Sequence, residues 1–207
     1  MRAWLVALLS APFAALAQQG AIVTVLQGNV TVEQGAPVPR PAVAFSKLQA
    51  GDRLQLGPDA VLQLVYFQNG RQETWRDRAR VEVGEEQSKP IGAAAPASVK
   101  QLPAMLVRQL IKTPTADSSG KVGAVRLRAV VAPDAMEKLE RNYGELRAQT
   151  EATDRTPELY LLAGLFEQKQ YERIEALLGQ WQRSEPPDPA LLAIADHYRA
   201  AMRAAPK

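Results

Sequence analysis

The sequence predicts an α+β protein in two parts, a small all-β domain followed by an all-α domain of antiparallel helical hairpins. Three observations predict it. Apolar residues recur with period two from Ile22 to Val83, they recur with the period of helices from Asp134 onward, and a small-residue stretch from Pro90 to Pro96 separates the two regimes. The expected organisation is a signal peptide over residues 1–17, a β domain over 20–88, a linker with a short helix and one strand over 89–131, and a helical domain over 132–204.

The chain opens with Arg2, an apolar run from Ala3 to Leu16 broken by Pro12, and the small-x-small triplet Ala15-Leu16-Ala17. That pattern predicts export with cleavage after Ala17, and hence a periplasmic protein. The run falls short of the roughly 20 residues that span a bilayer, so no transmembrane anchor is expected after cleavage. The sequence has no Cys, which removes a lipid-attachment cysteine, a disulfide framework and any thiolate metal site.

Within the β region, Ile22, Thr24 and Leu26 alternate against Val23 and Val25, and Val30 and Val32 follow a Gly28-Asn29 turn. Some strands carry apolar residues on both faces. The run Ala60 to Phe67 is rich in β-branched and aromatic residues, and Asn69-Gly70 after it is a strong hairpin signal, so Arg71 to Arg80 should run back antiparallel. Gly35, Pro37, Pro39, Pro41, Gly51-Asp52 and Gly57-Pro58-Asp59 punctuate the other strands. After the linker, Leu102, Met105, Leu106, Gln109 and Leu110 suit one face of a short helix between Ser98 and Ile111 with Pro103 in its first turn. Thr113 to Gly123 reads as polar and turn-rich, and Val125 to Val131 as one strand.

Four helices then follow. Met136, Leu139, Tyr143 and Leu146 line the first, with Asp134 as N-cap. Thr156-Pro157 starts the second, which carries Leu159, Leu162, Leu165 and Phe166. Ile174, Leu177, Leu178 and Trp181 line the third from Tyr171, and Leu191, Leu192, Ala195 and Tyr198 the fourth after Asp188-Pro189.

Particular residues carry two resemblances. Gly28-x-Val30, Leu48-x-x-Gly51-Asp52-x-Leu54, Ala60-Val61-Leu62-Gln63-Leu64 leading to Phe67-x-x-Gly70, and Val81-x-Val83 resemble a FecR domain, a periplasmic β module. Asn69 stands where that family usually has Asp, and Leu56-Gly57 departs from its commoner Thr-containing segment. Pro157 to Met202 resembles tetratricopeptide repeats, with Ile174, Leu178 and Trp181 at packing positions and Pro186 at the closing proline. Leu162 and Asp196 stand where those repeats usually carry a small residue, and Ile174 replaces the usual Ala. The two resemblances imply a protein that binds a protein partner or an envelope polymer. They do not imply sigma-factor regulation, whose proteins carry a membrane helix before the periplasmic part.

The residue inventory points away from catalysis. One His, His197, cannot build a His-rich zinc site or HExxH, and its neighbour Asp196 points about 100° away along the helix. His197 reads as a surface or interface residue. Asp52, Glu73 and Glu85-Glu86 are carboxylates by type but lie in no motif, so a carboxylate-based wall hydrolase is the lesser alternative. No cofactor or metal is expected. A formal charge of +3, with 25 Lys and Arg against 22 Asp and Glu, is no nucleic-acid footprint. Two binding surfaces are candidates. Arg76, Arg78 and Arg80 should share one face of a strand at about 6.6 Å spacing. Leu161, Leu165, Trp181 and Tyr198 would line a peptide groove if the hairpins opened, or else form core. The expected function is therefore a non-enzymatic periplasmic binding or scaffold protein. Its partner is another envelope protein or, in the alternative, peptidoglycan or another anionic envelope polymer.

Overall fold

Alternation at period two produces two five-stranded antiparallel sheets that share one apolar interior. The computed structural model describes residues 19–35, 38–116, 122–123, 134–183 and 185–205, so the expected signal peptide and the expected strand Val125 to Val131 lie outside the described residues. In chain order the strands are β1 (Gln19–Gln27), β2 (Val30–Glu33), β3 (Arg40–Pro41), β4 (Lys47–Gln49), β5 (Arg53–Leu56), β6 (Val61–Tyr66), β7 (Arg71–Arg76), β8 (Arg80–Val83), β9 (Ser88–Pro90) and β10 (Ser98–Gln101). Helix α1 (Ala104–Leu110), a short pair β11 (Thr115–Ala116) and β12 (Val122–Gly123), and helices α2 (Ala135–Gln149), α3 (Thr156–Glu167), α4 (Tyr171–Gln182) and α5 (Pro189–Ala204) complete the described elements. The layout is a mixed α+β protein in two parts.

The first sheet has the order β10-β7-β6-β1-β4 and the second β3-β2-β5-β8-β9. The chain switches sheets at Gly28-Asn29, between β3 and β4, at Gly51-Asp52, at Gly57 to Ala60, at Asp77 to Ala79 and between β9 and β10. Gly28 holds φ at +74°, and a Cβ there would sit 3.0 Å from the Ala60 Cα, so two of these crossings touch only because one is a glycine. Asp52 closes the β4–β5 crossing, its carboxylate accepting from the Gln49 N–H at 2.8 Å. The β6–β7 hairpin forms as expected, but over the four residues Phe67 to Gly70, with Gly70 in the left-handed region. A side chain on Gly70 would strike Val107 of α1.

Alternate residues of the first sheet enter different interiors. Ala21, Val23, Leu62, Leu64 and Tyr66 face the second sheet, where Val30, Leu54, Leu56, Val81 and Val83 meet them. Ile22, Phe45 and Val65 face the other way, into a core with Leu106 and Leu110 of α1 and with Leu159, Leu162, Leu178, Ile194 and Tyr198. Strands apolar on both faces therefore mark a sheet with a layer on each side. Lys47 ties the layers further, donating to the Ile111 carbonyl at 3.1 Å, and burial lowers its pKa.

The stretch expected as a linker also contributes strands. Ser88–Pro90 pairs with β8 and Ser98–Gln101 with β7, each forming the edge of a sheet. Edge strands need no continuous apolar face, and here Lys89 and Pro90 are exposed, as is Val99. Helix α1 consequently begins only at Ala104, with Pro103 just before it rather than in its first turn.

The four later helices form at the expected places. Leu139, Leu146, Leu159, Leu162, Ile174 and Leu178 are all buried. Asp188 caps α5 by accepting from the Ala190 and Leu191 N–H groups. Asp134 precedes α2 without a side-chain cap bond. Thr156, expected as a cap, is instead the first residue of α3, and the Asp154 carboxylate accepts both its N–H and its hydroxyl.

Because Ile22, Phe45 and Val65 are covered by helices, a chain ending at Ala97 should expose a contiguous apolar face. We expect it to bind a hydrophobic dye and to lose cooperative unfolding in urea. A sharp two-state transition in the truncated chain would show that the β part holds its fold alone.

Candidate functional site

The face of the first sheet that looks toward the helices is only partly covered by them. Register assigns what is left open. Gln63 on β6 lies opposite Thr74 on β7, which lies opposite Ser98 on β10. One step along, Val65, Gln72 and Lys100 form the next row, and on the other side Val61 faces Arg76. Where Val65 ends, apolar cover ends too, and these polar side chains floor a cleft of about 350 Å³. Glu151, Thr153 and Asp154, from the connection between α2 and α3, form the opposite wall.

The floor is a chain of neutral groups. Thr24 donates to the Gln63 amide oxygen at 2.8 Å, and the Gln63 amide reaches the Thr74 hydroxyl at 3.5 Å. Gln72 is 2% exposed, and its buried amide oxygen has no hydrogen-bond donor among the described residues. At the rim, Lys100 pairs with Glu151 at 2.8 Å and approaches Asp154 at 3.8 Å. The hydrogen bond to Glu151 raises the Lys100 pKa.

Arg147 of α2 builds the wall. Its guanidinium donates to the carbonyls of Thr150, Glu151 and Asp154 and to both oxygens of the buried Glu158 carboxylate. Five acceptors on one planar fork hold the α2–α3 connection over the sheet. No motif in the sequence singles out Arg147. The available signal was an Arg in the last turn of a helix followed by a polar loop.

The expected arginine row is not one row. Asp77 and Arg78 both adopt left-handed backbone, with φ of 41° and 45°, and at that turn the chain leaves the first sheet for the second. Arg76 lines the cleft, Arg78 is exposed in the turn, and Arg80 lies on the outer face of the second sheet beside Gln55 and Thr31. The alternation that put all three on one face is reset by the turn.

The expected peptide groove is likewise not open. Leu161, Leu165 and Tyr198 are buried in the core, and Trp181 packs against it partly buried. The open groove on the helical part lies instead between α1, α2 and α3, around Met105, Leu139 and Tyr160.

Of the candidate carboxylates, Glu73 and Asp52 are placed in the interior. Glu73 is 1% exposed, and its carboxylate accepts from Arg71 at 2.6 Å, from the Trp75 indole at 3.1 Å and from the Ser88 N–H. Tyr66 shares a 2.7 Å hydrogen bond with the Ser88 hydroxyl, so β6 and β7 of one sheet grip β9 of the other. Asp52 is buried in its turn, and burial raises its pKa against the opposing pull of the Gln49 N–H, Gln34 and Arg40. Glu85 and Glu86 are exposed between β8 and β9. Among the described residues no group of three His, Cys, Asp or Glu is placed to hold a metal ion.

His197 lies inside the molecule rather than at its surface. Its Nε2 donates to the Pro114 carbonyl at 2.7 Å, and its ring meets Phe45 with centroids 4.5 Å apart. It sits one residue before Tyr198 on a stripe with Ile194 and Ala201, so α5 is buried on the side where a surface residue was expected.

No family model, no curated protein and no solved structure matches the chain. Among the described residues no helix is long and apolar enough to cross a membrane.

Two outcomes are expected here. Burial lowers the His197 pKa to about 4, against 6.5 for the free side chain. Between those values the unfolded chain binds the additional proton, so this contribution to stability is complete above pH 6.5 and is lost as pH falls toward 4. The loss amounts to about 3 kcal/mol. Urea unfolding of the wild type across that range should show it, and His197→Gln should flatten it. Arg147→Met leaves the buried Glu158 without its cation and should destabilise the protein by about 3 kcal/mol. Amide exchange over residues 150–154 should quicken in the same variant, and unchanged exchange there would show that Arg147 does not hold the wall.

Proposed function

We propose that the protein is a non-enzymatic binding protein of the bacterial envelope. In this reading it is exported to the periplasm, cleaved after Ala17, and holds its ligand in the cleft between a FecR-like β sandwich and TPR-like helical hairpins. The observation that carries the reading is the cleft itself, a polar site with a buried unpaired acceptor on its floor and a wall held by Arg147. A non-catalytic role is supported by how the candidate acids and the imidazole are used. Glu73, Asp52 and His197 are each buried, and each is engaged with neighbouring protein groups.

The helices in this reading are less a separate recruiting module than the support of the site. They cover one half of the sheet face and supply the wall of the other half. A scaffold acting through two independent surfaces fits this less well than a single site that needs both parts.

The test is capture in intact cells with a photocrosslinking side chain at position 76, in the cleft, or at position 80, on the far sheet. We expect a defined envelope component, polymer or protein, to be captured from position 76 and not from position 80. Equal capture from both positions, or none from 76, would overturn the assignment of the cleft.

A further inference from the structure

We infer that the cleft takes a neutral, hydroxyl-rich oligosaccharide segment, with the Gln72 amide oxygen accepting a hydroxyl proton that no group among the described residues supplies. The inference rests on the reading of the cleft as the binding site and names the class of its ligand.

Hydrogen-bond demand comes first. The Gln72 oxygen is buried with no donor among the described residues, while the Gln63 oxygen already accepts from Thr24. Thr74, two residues along the same face of β7 and about 7 Å away, accepts from Gln63 and keeps its own hydroxyl proton free to donate. The floor thus presents an acceptor and a donor side by side. A sugar hydroxyl both donates and accepts, so neighbouring hydroxyls on a ring answer both demands.

Charge decides against an anionic ligand. The cleft is lined by two cations, Arg76 and Lys100, and two anions, Glu151 and Asp154, and Lys100 is engaged by both anions. The net charge of the lining is zero, and a polyanion would meet the two carboxylates. Reach decides for an oligomer. Gln72 and Arg76 lie four residues apart on one strand face, about 13 Å, which is longer than one sugar ring. A peptide is disfavoured because Gln63, Gln72 and Thr74 lie on β6 and β7, strands paired on both sides, so over them a ligand backbone finds no ladder to join.

The experiment is calorimetric titration of the whole mature chain with neutral tetrasaccharides of N-acetylglucosamine, glucose and mannose. Tetragalacturonate and an unstructured neutral peptide are titrated alongside. At least one neutral tetrasaccharide should bind, and Gln72→Leu should weaken it about tenfold, the worth of one hydrogen bond lost. Its thermal midpoint should hold or rise, because an unsatisfied buried oxygen has been removed, and a purely structural Gln72 would give the opposite pattern. Should that variant fold poorly, the exposed Arg76→Ser still tests the site, with a several-fold loss expected, and Arg80→Ser on the other sheet should bind as wild type. Binding of tetragalacturonate or the peptide in preference to every neutral sugar overturns the ligand class. Absence of sugar binding while position 76 still captures an envelope component overturns the ligand class and leaves the site standing. Absence of both overturns the site as well.

Discussion

Everything in this molecule depends on a sheet that must be buried on both faces. Ala21 and Val23 point into one interior while Ile22 between them points into the other, and Leu64 and Val65 repeat the arrangement on the neighbouring strand. Either layer alone would leave half of these side chains in water. The second sheet answers one face and helices α1, α3, α4 and α5 contribute to the core on the other, which places Phe45, His197 and Tyr198 at the seam where the two parts meet. The imidazole there is desolvated because the seam is dry, and a neutral ring donating to the Pro114 carbonyl is the form that such a place tolerates.

Among the described residues two of the buried carboxylates, Glu73 and Glu158, are each paired with an arginine. Glu73 in the sandwich and Glu158 beneath the α2–α3 connection each face an arginine and further donors or share that arginine with backbone carbonyls. A buried ion pair adds little stability over a well-packed apolar one, yet losing one partner is costly. Its effect here is on geometry. Glu73 fixes the height of β9 against β7, and Glu158 through Arg147 fixes the wall of the cleft against the sheet.

Much of the fold was legible because its signals are local. The Asn69-Gly70 hairpin, the helix-starting prolines Pro157 and Pro189, the Asp188 cap, and the helical spacing of Ile174 and Leu178 need no tertiary knowledge. Even the two-faced strands were visible as apolar residues on both parities, a sign of a second covering layer. What was hidden is set by partners distant in sequence. The edge strands at Ser88–Pro90 and Ser98–Gln101 bear Lys, Pro, Gln and Ser, and in a small-residue stretch they read as linker. The sheet switch at Asp77-Arg78 needs two consecutive left-handed residues, neither a glycine, so alternation seemed to continue through it and joined Arg76 to Arg80. The cleft was hidden for the same reason. Gln63, Gln72 and Thr74 look like ordinary outward-facing strand residues until register and the Arg147 loop enclose them.

The position of the cleft follows from the same constraint that shapes the fold. Part of the second face of the first sheet lies beyond the cover of the helices. If that remainder were as apolar as Ile22 and Val65, it would be an aggregation surface; if it were freely solvated, no amide oxygen would be buried there. Along this face β6 changes from Val65 to Gln63, β7 presents Gln72 and Thr74, and the α2–α3 connection closes over them. Gln72 stands at that boundary, packed beside Val65 and Lys100 in the same row, deep enough to lose water and yet lining a space that the described residues do not fill. An unsatisfied buried acceptor disfavours folding by about 1–3 kcal/mol unless something outside the chain answers it. A site at the edge of a core, where burial is complete but pairing is not, is where a ligand can supply what the fold lacks.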